Sequence, residues 1–287
     1  MIDPDLTTLK ATYRFLKDDV LFGTLLYRYG ISRHRALQAN ATRSQHHTYT
    51  CFHRSPGQLE ALTGPVMQRL LTDRAPGPFQ INVFASSTGA EPYTLASVLV
   101  RSFPSLAFRI TASDLHPAMV DHATRAIYSA ADLRRRPPPA QFVADTFEQV
   151  GEHYRVRSAL RSRVRVKQAD LLDPRLGDQF EPADLVFAQN VFCHLDPVQT
   201  RTAFLNISQF LKPSSALFID GMNLDLREQL TAELALSPLD FKTRQIHDYA
   251  RKHVGDRWWN YYYGMEPYAR WRPNGTRRFS TIFFKGP

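Results

Sequence analysis

The sequence is poor in cysteine and has no long apolar run. Its 287 residues include two cysteines, Cys51 and Cys193, which excludes a framework of several disulfides and favours a reducing compartment. No apolar stretch approaches the length of a membrane span, and the N-terminal Met-Ile-Asp-Pro-Asp lacks signal-peptide character. We therefore expect a cytoplasmic protein without a membrane span. The formal net charge of +9 favours an acidic partner, but it has no bearing on the fold.

Glycine is scarce where a nucleotide-binding turn is expected. The apolar stretch Phe79–Phe84 predicts a strand, and the small residues 85–91 separate it from a helix predicted to begin at Pro92. A strand, a tight turn and a helix N-terminus together form an anion site. The single glycine, Gly89, excludes the three-glycine dinucleotide fingerprint, and no lysine follows it as a Walker loop requires. Hydroxyl side chains and the acid Glu91 suit the carboxylate and ammonium of S-adenosylmethionine, which has no phosphate.

This turn is also similar to a motif of a known family. Residues 87–96, Ser-Thr-Gly-Ala-Glu-Pro-Tyr-Thr-Leu-Ala, resemble the motif of the chemotaxis-receptor methyltransferases, which are protein-glutamate O-methyltransferases. Four further blocks match in order: Thr50-x-Phe52-His53-Arg54, Ala112-Ser113-Asp114-Leu115, Tyr154-Arg155-Val156 through Val164-x-Val166 and Asp170-Leu171-Leu172, and Asp184 through Val191 with Asp196. The resemblance covers roughly residues 45–225. It implies an S-adenosylmethionine-dependent methyltransferase.

The alternation of strands and helices after residue 76 predicts an α/β fold. We expect a Rossmann-like seven-stranded methyltransferase sheet over 77–287 and a small helical N-terminal domain over 1–76. The pair Asn274-Gly275 predicts a hairpin over 267–285 that supplies the last two strands. Residues 140–167 resemble the small antiparallel insertion that docks the receptor in the family. The predicted strands are Phe79–Phe84, Phe108–Ala112, Arg163–Val166, Leu185–Ala188 and Ala216–Ile219, and a helix capped by Asp196 is predicted over Pro197–Leu211.

The predicted cofactor residues follow the strands. Asp114 ends its strand 25 residues after Gly89, where a carboxylate accepts both ribose hydroxyls or caps the helix near Pro117. Glu91 either contacts the cofactor or complements the helix dipole. The resemblance implies that the adenine lies beside Asp170 and Leu171. The full predicted set is Thr48, Thr50, Arg54, Ala85, Ser86, Gly89, Glu91, Asp114, Asp170, Leu171, Gln189 and Asn190.

Two residues are candidates for the chemistry itself. Arg54 can hold an acceptor carboxylate in a fixed planar geometry, or it forms a surface salt bridge. His194 stands where the resembled family has Tyr, and it is either a base or a packed aromatic substitute. We expect no metal, because His46, His47 and His53 have no carboxylate or cysteine partners at ligand spacing.

The acceptor is the least determined part of the prediction. Seven aromatic residues crowd into 258–271, where they form either the edge of the core or the wall of an apolar pocket. We therefore predict methylation of a carboxylate, with a lean to a small-molecule metabolite. The first alternative is a glutamate of a chemoreceptor. The second is a nucleic-acid-binding or regulatory module, which the basic balance and Arg155, Arg157, Arg161, Arg163 and Arg165 favour. No nucleic-acid-binding motif is present, so nucleic acid is not an expected partner.

Overall fold

The computed structural model describes residues 9, 12, 13, 16, 50–72, 77–134, 136–252, 268–269 and 274–287. Most of the predicted N-terminal helical region lies outside these residues, as do Thr48, His46, His47 and most of the aromatic segment. The boundary at residue 76 therefore stays a prediction. Within the described residues, no helix combines the length and the apolarity that a bilayer crossing requires.

Helices and strands alternate along the described chain. The helices are α1 (Pro56–Ala61), α2 (Met67–Leu71), α3 (Ala90–Ser102), α4 (Pro117–Arg125), α5 (Ala130–Arg134), α6 (Ala140–Thr146), α7 (Ser158–Arg161), α8 (Pro197–Ser208), α9 (Leu224–Glu233), α10 (Thr243–Lys252) and α11 (Gly275–Phe279). The strands are β1 (Phe79–Phe84), β2 (Phe108–Asp114), β3 (Ile127–Ser129), β4 (Phe147–Val150), β5 (His153–Val156), β6 (Val164–Gln168), β7 (Ala183–Gln189), β8 (Leu211–Asp220), β9 (Ser237–Pro238) and β10 (Ile282–Phe284). A π-helical segment over Leu62–Val66 and two 3₁₀ turns, Leu176–Gln179 and Phe192–His194, complete the set.

Seven strands form the main sheet in the order β6-β2-β1-β7-β8-β10-β9. The strands β6, β2, β1, β7 and β8 are parallel neighbours, and β10 is antiparallel to both β8 and β9. The predicted seven-stranded α/β sheet is thus confirmed. The chain leaves β1 towards β2 and β6 on one side and returns to β7 and β8 on the other. Ligands of open α/β sheets bind at such a switch point, outside the carboxyl ends of the strands.

Apolar side chains cover both faces of this sheet. Phe79 belongs to the cluster on one face, and Phe84 belongs to the cluster on the other, where its ring packs against Phe180 and Phe210. Each of these side chains is almost fully buried, which contributes about 1.5–3 kcal/mol per residue relative to an exposed position. The segment from α1 to α2 joins the first cluster through buried residues such as Leu62. The loop before α1 is therefore held firmly against the carboxyl edge of the sheet.

The helix α8 begins as its sequence predicts. The Asp196 carboxylate accepts the Gln199 backbone N–H at 2.8 Å, and the Gln199 side chain accepts the Asp196 N–H at 3.3 Å. Pro197 occupies the first turn, where its missing N–H costs nothing. This reciprocal capping fixes the start of α8 directly after the chain leaves β7.

The C-terminal strand has a different partner from the predicted one. Both edges of β10 are occupied, by β8 and by Ser237–Pro238 of β9, so the predicted hairpin over 267–285 is wrong. Asn274 does adopt the left-handed conformation that a type I′ turn requires, with φ +61°, but Gly275 begins the helix α11. A left-handed Asn before Gly suits a helix start as well as a hairpin turn. The local signal therefore did not distinguish the two.

A second, smaller sheet interrupts the α/β alternation. Its three antiparallel strands lie in the order β3-β5-β4 and span residues 127–156. The predicted insertion over 140–167 is therefore placed too late in the sequence. Residues 164–168 form β6, which pairs with β2 in the main sheet.

Candidate active site

One cavity opens at the carboxyl ends of the parallel strands, next to the loop before α1. It brings together most of the predicted site residues: Thr50, Arg54, Ala85, Ser86, Glu91, Asp114, Asp170, Leu171, Gln189, Asn190 and His194. Residues from five separate parts of the sequence thus meet at the switch point of the sheet. Gly89 is not among the lining residues.

The turn after β1 is held in an unusual backbone conformation. Ala85 and Ser87 have φ values of +55° and +50°, which few residues other than glycine adopt. Hydrogen bonds hold the turn in place, since the Ser86 N–H donates to Ser113 O at 2.8 Å and the Gly89 N–H donates to Ser86 O at 3.0 Å. The Ser86 hydroxyl is buried without a hydrogen-bond partner among the described residues. Strained backbone and an unpaired polar atom are features of ligand sites.

Gly89 has a packing role that the local sequence does not indicate. Its φ is +90°, and a Cβ there would lie 2.9 Å from the Ala123 Cβ and 3.2 Å from the Tyr128 hydroxyl. The helix α4 and strand β3 thus occupy the space that a side chain would need. The close approach that requires glycine is made by the protein's own chain. The predicted contact of Gly89 with a cofactor stays a prediction.

Asp114 organises the loops around the cavity. Its carboxylate accepts the Ser87 N–H at 2.7 Å on one oxygen and the His116 N–H at 3.0 Å on the other. The helix α4 begins at Pro117 without a side-chain cap, so Asp114 does not act as its N-cap. Each carboxylate oxygen has the capacity for a second hydrogen bond. The side chain is 7 % exposed and that exposure faces the cavity, where two hydroxyl donors can reach it.

Glu91 and Arg54 bring opposite charges to the same side of the cavity. Burial raises the pKa of Glu91 to about 7; the Arg54 guanidinium partly opposes this shift and the Asp220 carboxylate adds to it. Arg54 lies between His53 and Ser55, which both have left-handed backbone with φ +53° and +52°. The loop that presents Arg54 is thus strained in the way that functional loops are.

The loop carrying Arg54 is fastened to the helix α3. The His53 N–H donates to the Thr94 hydroxyl at 3.0 Å, and the His53 ring packs edge-on against Phe142 at 5.3 Å. Burial lowers the pKa of His53. His53 therefore packs as a neutral aromatic side chain. Across the described ranges, no three His, Cys, Asp or Glu side chains cluster as metal ligands would.

The end of β7 lines the cavity and is fixed by the neighbouring end of β8. The Asn190 N–H donates to Asp220 O at 3.0 Å, and its φ is +54°. Gly221 has to be glycine here, because a Cβ would lie 2.7 Å from the Asn190 Cα. The Asn190 Nδ2 is buried without a hydrogen-bond partner among the described residues. An unpaired buried donor on a residue that lines the cavity makes Asn190 a candidate to bond a ligand.

The predicted adenine end is built after β6. The Asp170 carboxylate accepts the Leu172 N–H at 2.9 Å, and Asn206 Nδ2 donates to Leu171 O at 2.8 Å. These bonds fix a turn whose apolar side chains face the cavity. Leu171 is 8 % exposed and belongs to the second core cluster. An apolar wall beside a carboxylate suits a flat ring with an exocyclic amino group.

His194 lines the cavity from the 3₁₀ turn Phe192–His194. The neighbouring thiol of Cys193 donates to Asn190 O at 3.3 Å, and burial raises its pKa to about 12. Cys193 is therefore a protonated packing group and no nucleophile. The position of His194 is compatible with both predicted roles, a base or a packed aromatic side chain.

Several lining residues carry no motif and were not predicted. They are Cys51, Gln58, Leu59, Ser87, Thr94, Leu95, Leu115, His116, Ala169, Leu172, Phe187, Val191 and Leu195. Gln58 follows Arg54 by only four residues, which is a weak indication in the sequence that it lies near the site.

The side chains that line the cavity suit the chemical groups of S-adenosylmethionine. They offer three carboxylates, a guanidinium, two polar groups that have no partner among the described residues, and an apolar wall.

Comparisons with known proteins agree with this chemistry. The family model described as "CheR methyltransferase, SAM binding domain" matches residues 48–236, which is more than half of the chain. The "Chemotaxis protein methyltransferase" of Listeria monocytogenes is 27% identical over 199 residues, 69% of this chain and 70% of that protein. The "Probable biofilm formation methyltransferase WspC" of Pseudomonas putida is 28% identical over 208 residues, 72% of this chain and 47% of that protein. The "Chemotaxis protein methyltransferase 2" of Pseudomonas aeruginosa is 32% identical over 147 residues, 49% of this chain and 51% of that protein.

Proposed function

The chain belongs to the CheR family of S-adenosylmethionine-dependent methyltransferases, and from this we propose that it methylates a glutamate carboxylate on a protein of the chemoreceptor type. The observation that carries the proposal is the family match over the stretch that holds the described cavity, whose lining residues run from Thr50 to Leu195. The relatives named as chemotaxis methyltransferases support the protein acceptor.

The same names favour the chemoreceptor alternative over the small-molecule acceptor that we predicted from the aromatic segment. Of the seven aromatic residues in 258–271, only Tyr268 lies within the described residues. Its ring packs 4.9 Å from that of Phe279, which is fully buried. At this position the segment contributes to the core. Tyr268 is also absent from the residues that line the cavity.

The residues of the cavity suit the different parts of the cofactor. In our proposal Asp114 accepts the ribose hydroxyls, Glu91 pairs with the ammonium, and Asp170 and Leu171 receive the adenine. Ser86 and Asn190 have polar atoms without partners in the described part of the chain, and these groups can bond the remaining polar atoms of the cofactor. The bound cofactor supplies a methyl group made electrophilic by the attached sulfonium.

Transfer to a carboxylate needs alignment more than proton transfer. The acceptor oxygen forms its bond to the methyl carbon in line as the carbon–sulfur bond breaks. A carboxylate is already anionic at neutral pH, so no general base is needed. Arg54 offers planar, paired donors that fix the direction of an acceptor carboxylate. Holding the reacting atoms in line accounts for much of the rate in such reactions. His194 then serves as a wall of the cavity.

Transfer of labelled methyl groups tests the acceptor directly. Purified enzyme with methyl-labelled S-adenosylmethionine should label cytoplasmic fragments of bacterial chemoreceptors. The label should be released as methanol by mild base, because a glutamate methyl ester hydrolyses readily. Fragments with their methylatable glutamates changed to alanine should stay unlabelled. Labelling of a panel of small carboxylic acids, with none of the receptor fragments, would overturn the proposal. A base-stable product would exclude the carboxylate.

The pKa of Glu91 predicts a pH-dependent cofactor affinity. An ammonium group binds the ionised carboxylate, so affinity for S-adenosylhomocysteine should rise with pH through about 7. One pH unit below that pKa only about a tenth of the carboxylate is ionised, so affinity should be about tenfold below its plateau. In Glu91→Gln the dependence should vanish, and affinity should stay low throughout.

Isothermal titration calorimetry at a series of pH values measures this effect. Methylthioadenosine is the matched control, because it keeps the adenine and ribose but lacks the amino-acid part. Its affinity should not change across the same pH range in either protein. A parallel pH dependence for both ligands would assign the effect to a group other than Glu91.

A further inference from the structure

Gln58 joins three parts of the molecule that meet at the cavity. Its side chain is 2 % exposed and lines the cavity from the first helix, α1. The Gln58 Oε1 accepts from Gln189 Nε2 at 2.9 Å, and the Gln58 Nε2 donates to the Thr281 hydroxyl at 2.8 Å. One carboxamide therefore connects the end of β7 with the residue that precedes β10.

The outer end of this connection is fixed by the main sheet. The Thr281 carbonyl accepts the Ile219 N–H at 2.9 Å, one residue before the end of β8. Thr281 is 3 % exposed and directly precedes the strand β10, whose two edges are both paired. Thr281 thus gives Gln58 a rigid anchor in the main sheet.

On the cavity side, Gln58 contacts Gln189 and the turn that follows Arg54. The Gln58 backbone N–H donates to Ser55 O at 2.9 Å, so Gln58 lies directly behind the turn that follows Arg54, and its two side-chain bonds tie this start of α1 to Gln189 and Thr281. Gln189 uses one amide hydrogen on Gln58 and keeps a second N–H and a carbonyl oxygen for the cavity. Its orientation is therefore set by Gln58. Without that bond the Gln189 side chain would gain rotamer freedom that has to be lost on every binding event.

We propose that Gln58 is a positioning residue for methyl transfer, which holds the Gln189 carboxamide and the Arg54 loop in one arrangement on the acceptor side of the cavity. The inference rests on the proposed function, because it assigns that side to a protein carboxylate. Gln189 is a neutral side chain, and its hydrogen bond to Gln58 fixes the orientation of its carboxamide.

Replacing the amide while keeping its size tests this role. Gln58→Leu removes both side-chain hydrogen bonds, and Thr281→Val removes only the outer one. We expect Gln58→Leu to raise KM for a receptor-fragment acceptor about tenfold or more and to lower kcat, because small displacements of aligned groups cost large factors in rate. The Kd of S-adenosylhomocysteine should change much less than that acceptor KM. Thr281→Val should change KM in the same direction by a smaller factor, and Thr281→Ser should restore it.

The matched control is Gln68→Leu, which makes the same change at an exposed position on α2. Equal effects of Gln58→Leu on acceptor KM, on cofactor Kd and on stability would show a merely structural role and overturn the inference. If Gln58→Leu does not fold, the contrast between Thr281→Val and Thr281→Ser decides in the same way.

A readout without any acceptor separates this inference from the proposed function. In isotope-labelled protein, the side-chain amide signals of Gln189 should be shifted and slow to exchange in the wild type. In Gln58→Leu they should move to the positions of a free glutamine amide. A wild-type enzyme that labels no receptor fragment would contradict the proposed function while this measurement still decides the role of Gln58. Unchanged Gln189 signals in Gln58→Leu would contradict the inference alone.

Discussion

Asp114→Ala should lose at least about 100-fold in affinity for S-adenosylhomocysteine. Two ribose hydroxyls would lose a charged acceptor, and each hydrogen bond to a charged group contributes about 1.5–3 kcal/mol. The structure makes this expectation sharper than the sequence did. The Asp114 carboxylate already accepts the Ser87 and His116 N–H groups at 2.7 and 3.0 Å, so it is held in place before any ligand binds. A fixed acceptor has no orientation left to lose on binding.

The same two backbone bonds require a stability control. Asp114→Ala leaves two backbone N–H groups without their acceptor, so urea unfolding has to be measured beside the calorimetry. Asp173→Ala is the control variant, because Asp173 also accepts a backbone N–H, from Arg175 at 2.8 Å, but does not line the cavity. It should lose less stability, because it frees one exposed N–H group and not two, and it should keep its cofactor affinity. If Asp114→Ala binds as tightly as the wild type, the ribose assignment is wrong.

The sequence predicted those parts of the fold whose signals are local. The predicted strands Leu185–Ala188 and Ala216–Ile219 are continuous apolar runs, which are typical of buried parallel strands, and they fall within β7 and β8. Asp114 and Asn190 were predicted as site residues because each stands at the end of a predicted strand. All carboxyl ends of parallel strands meet at one edge, so this reasoning needed no long-range information. The structure places both side chains in the cavity.

The features that the sequence did not predict depend on contacts between distant residues. Asn274-Gly275 has the same local preference in a hairpin and at a helix start, and the pairing of β9 with β10 decides between them. Gly89 reads as a ligand-approach glycine, whereas its neighbours in space are Ala123 and Tyr128. Gln58 contacts Thr281 across 223 positions of the sequence, which no local pattern can show.

Backbone strain was also invisible in the sequence. Three residues that line the cavity have left-handed backbone: Ala85, Ser87 and Asn190. None of them is glycine, the residue type from which this conformation could have been predicted. Each such residue costs of the order of 1–3 kcal/mol, which the surrounding packing has to offset. The three strained positions follow β1 and β7, the two strands at the switch point. The cost is thus concentrated where the loops must turn sharply to enclose a ligand.

Arg54→Ala should lower kcat/KM for the protein acceptor by about 100-fold or more. Truncating one member of a buried, hydrogen-bonded charge pair costs about 2–5 kcal/mol, and an acceptor carboxylate would lose its only proposed charged donor. Arg54→Lys should be impaired as well, since an ammonium lacks the planar fork that sets the direction of a carboxylate. The affinity for S-adenosylhomocysteine should fall much less than turnover does.

The assay of these variants has to take Glu91 into account. The Arg54 guanidinium lowers the pKa of Glu91, so its removal lets that pKa rise above about 7 and protonates the carboxylate near neutral pH. Turnover should therefore be compared about one or two pH units above that value, where Glu91 is ionised in both proteins. Arg201→Ala is the matched control, because Arg201 makes an exposed pair with Glu233 outside the cavity and such pairs contribute little. Full activity of Arg54→Ala would remove Arg54 from the site. A loss of S-adenosylhomocysteine affinity as large as the loss of turnover, with methylthioadenosine unaffected, would assign Arg54 to the cofactor carboxylate and leave the acceptor to Gln189 and Asn190.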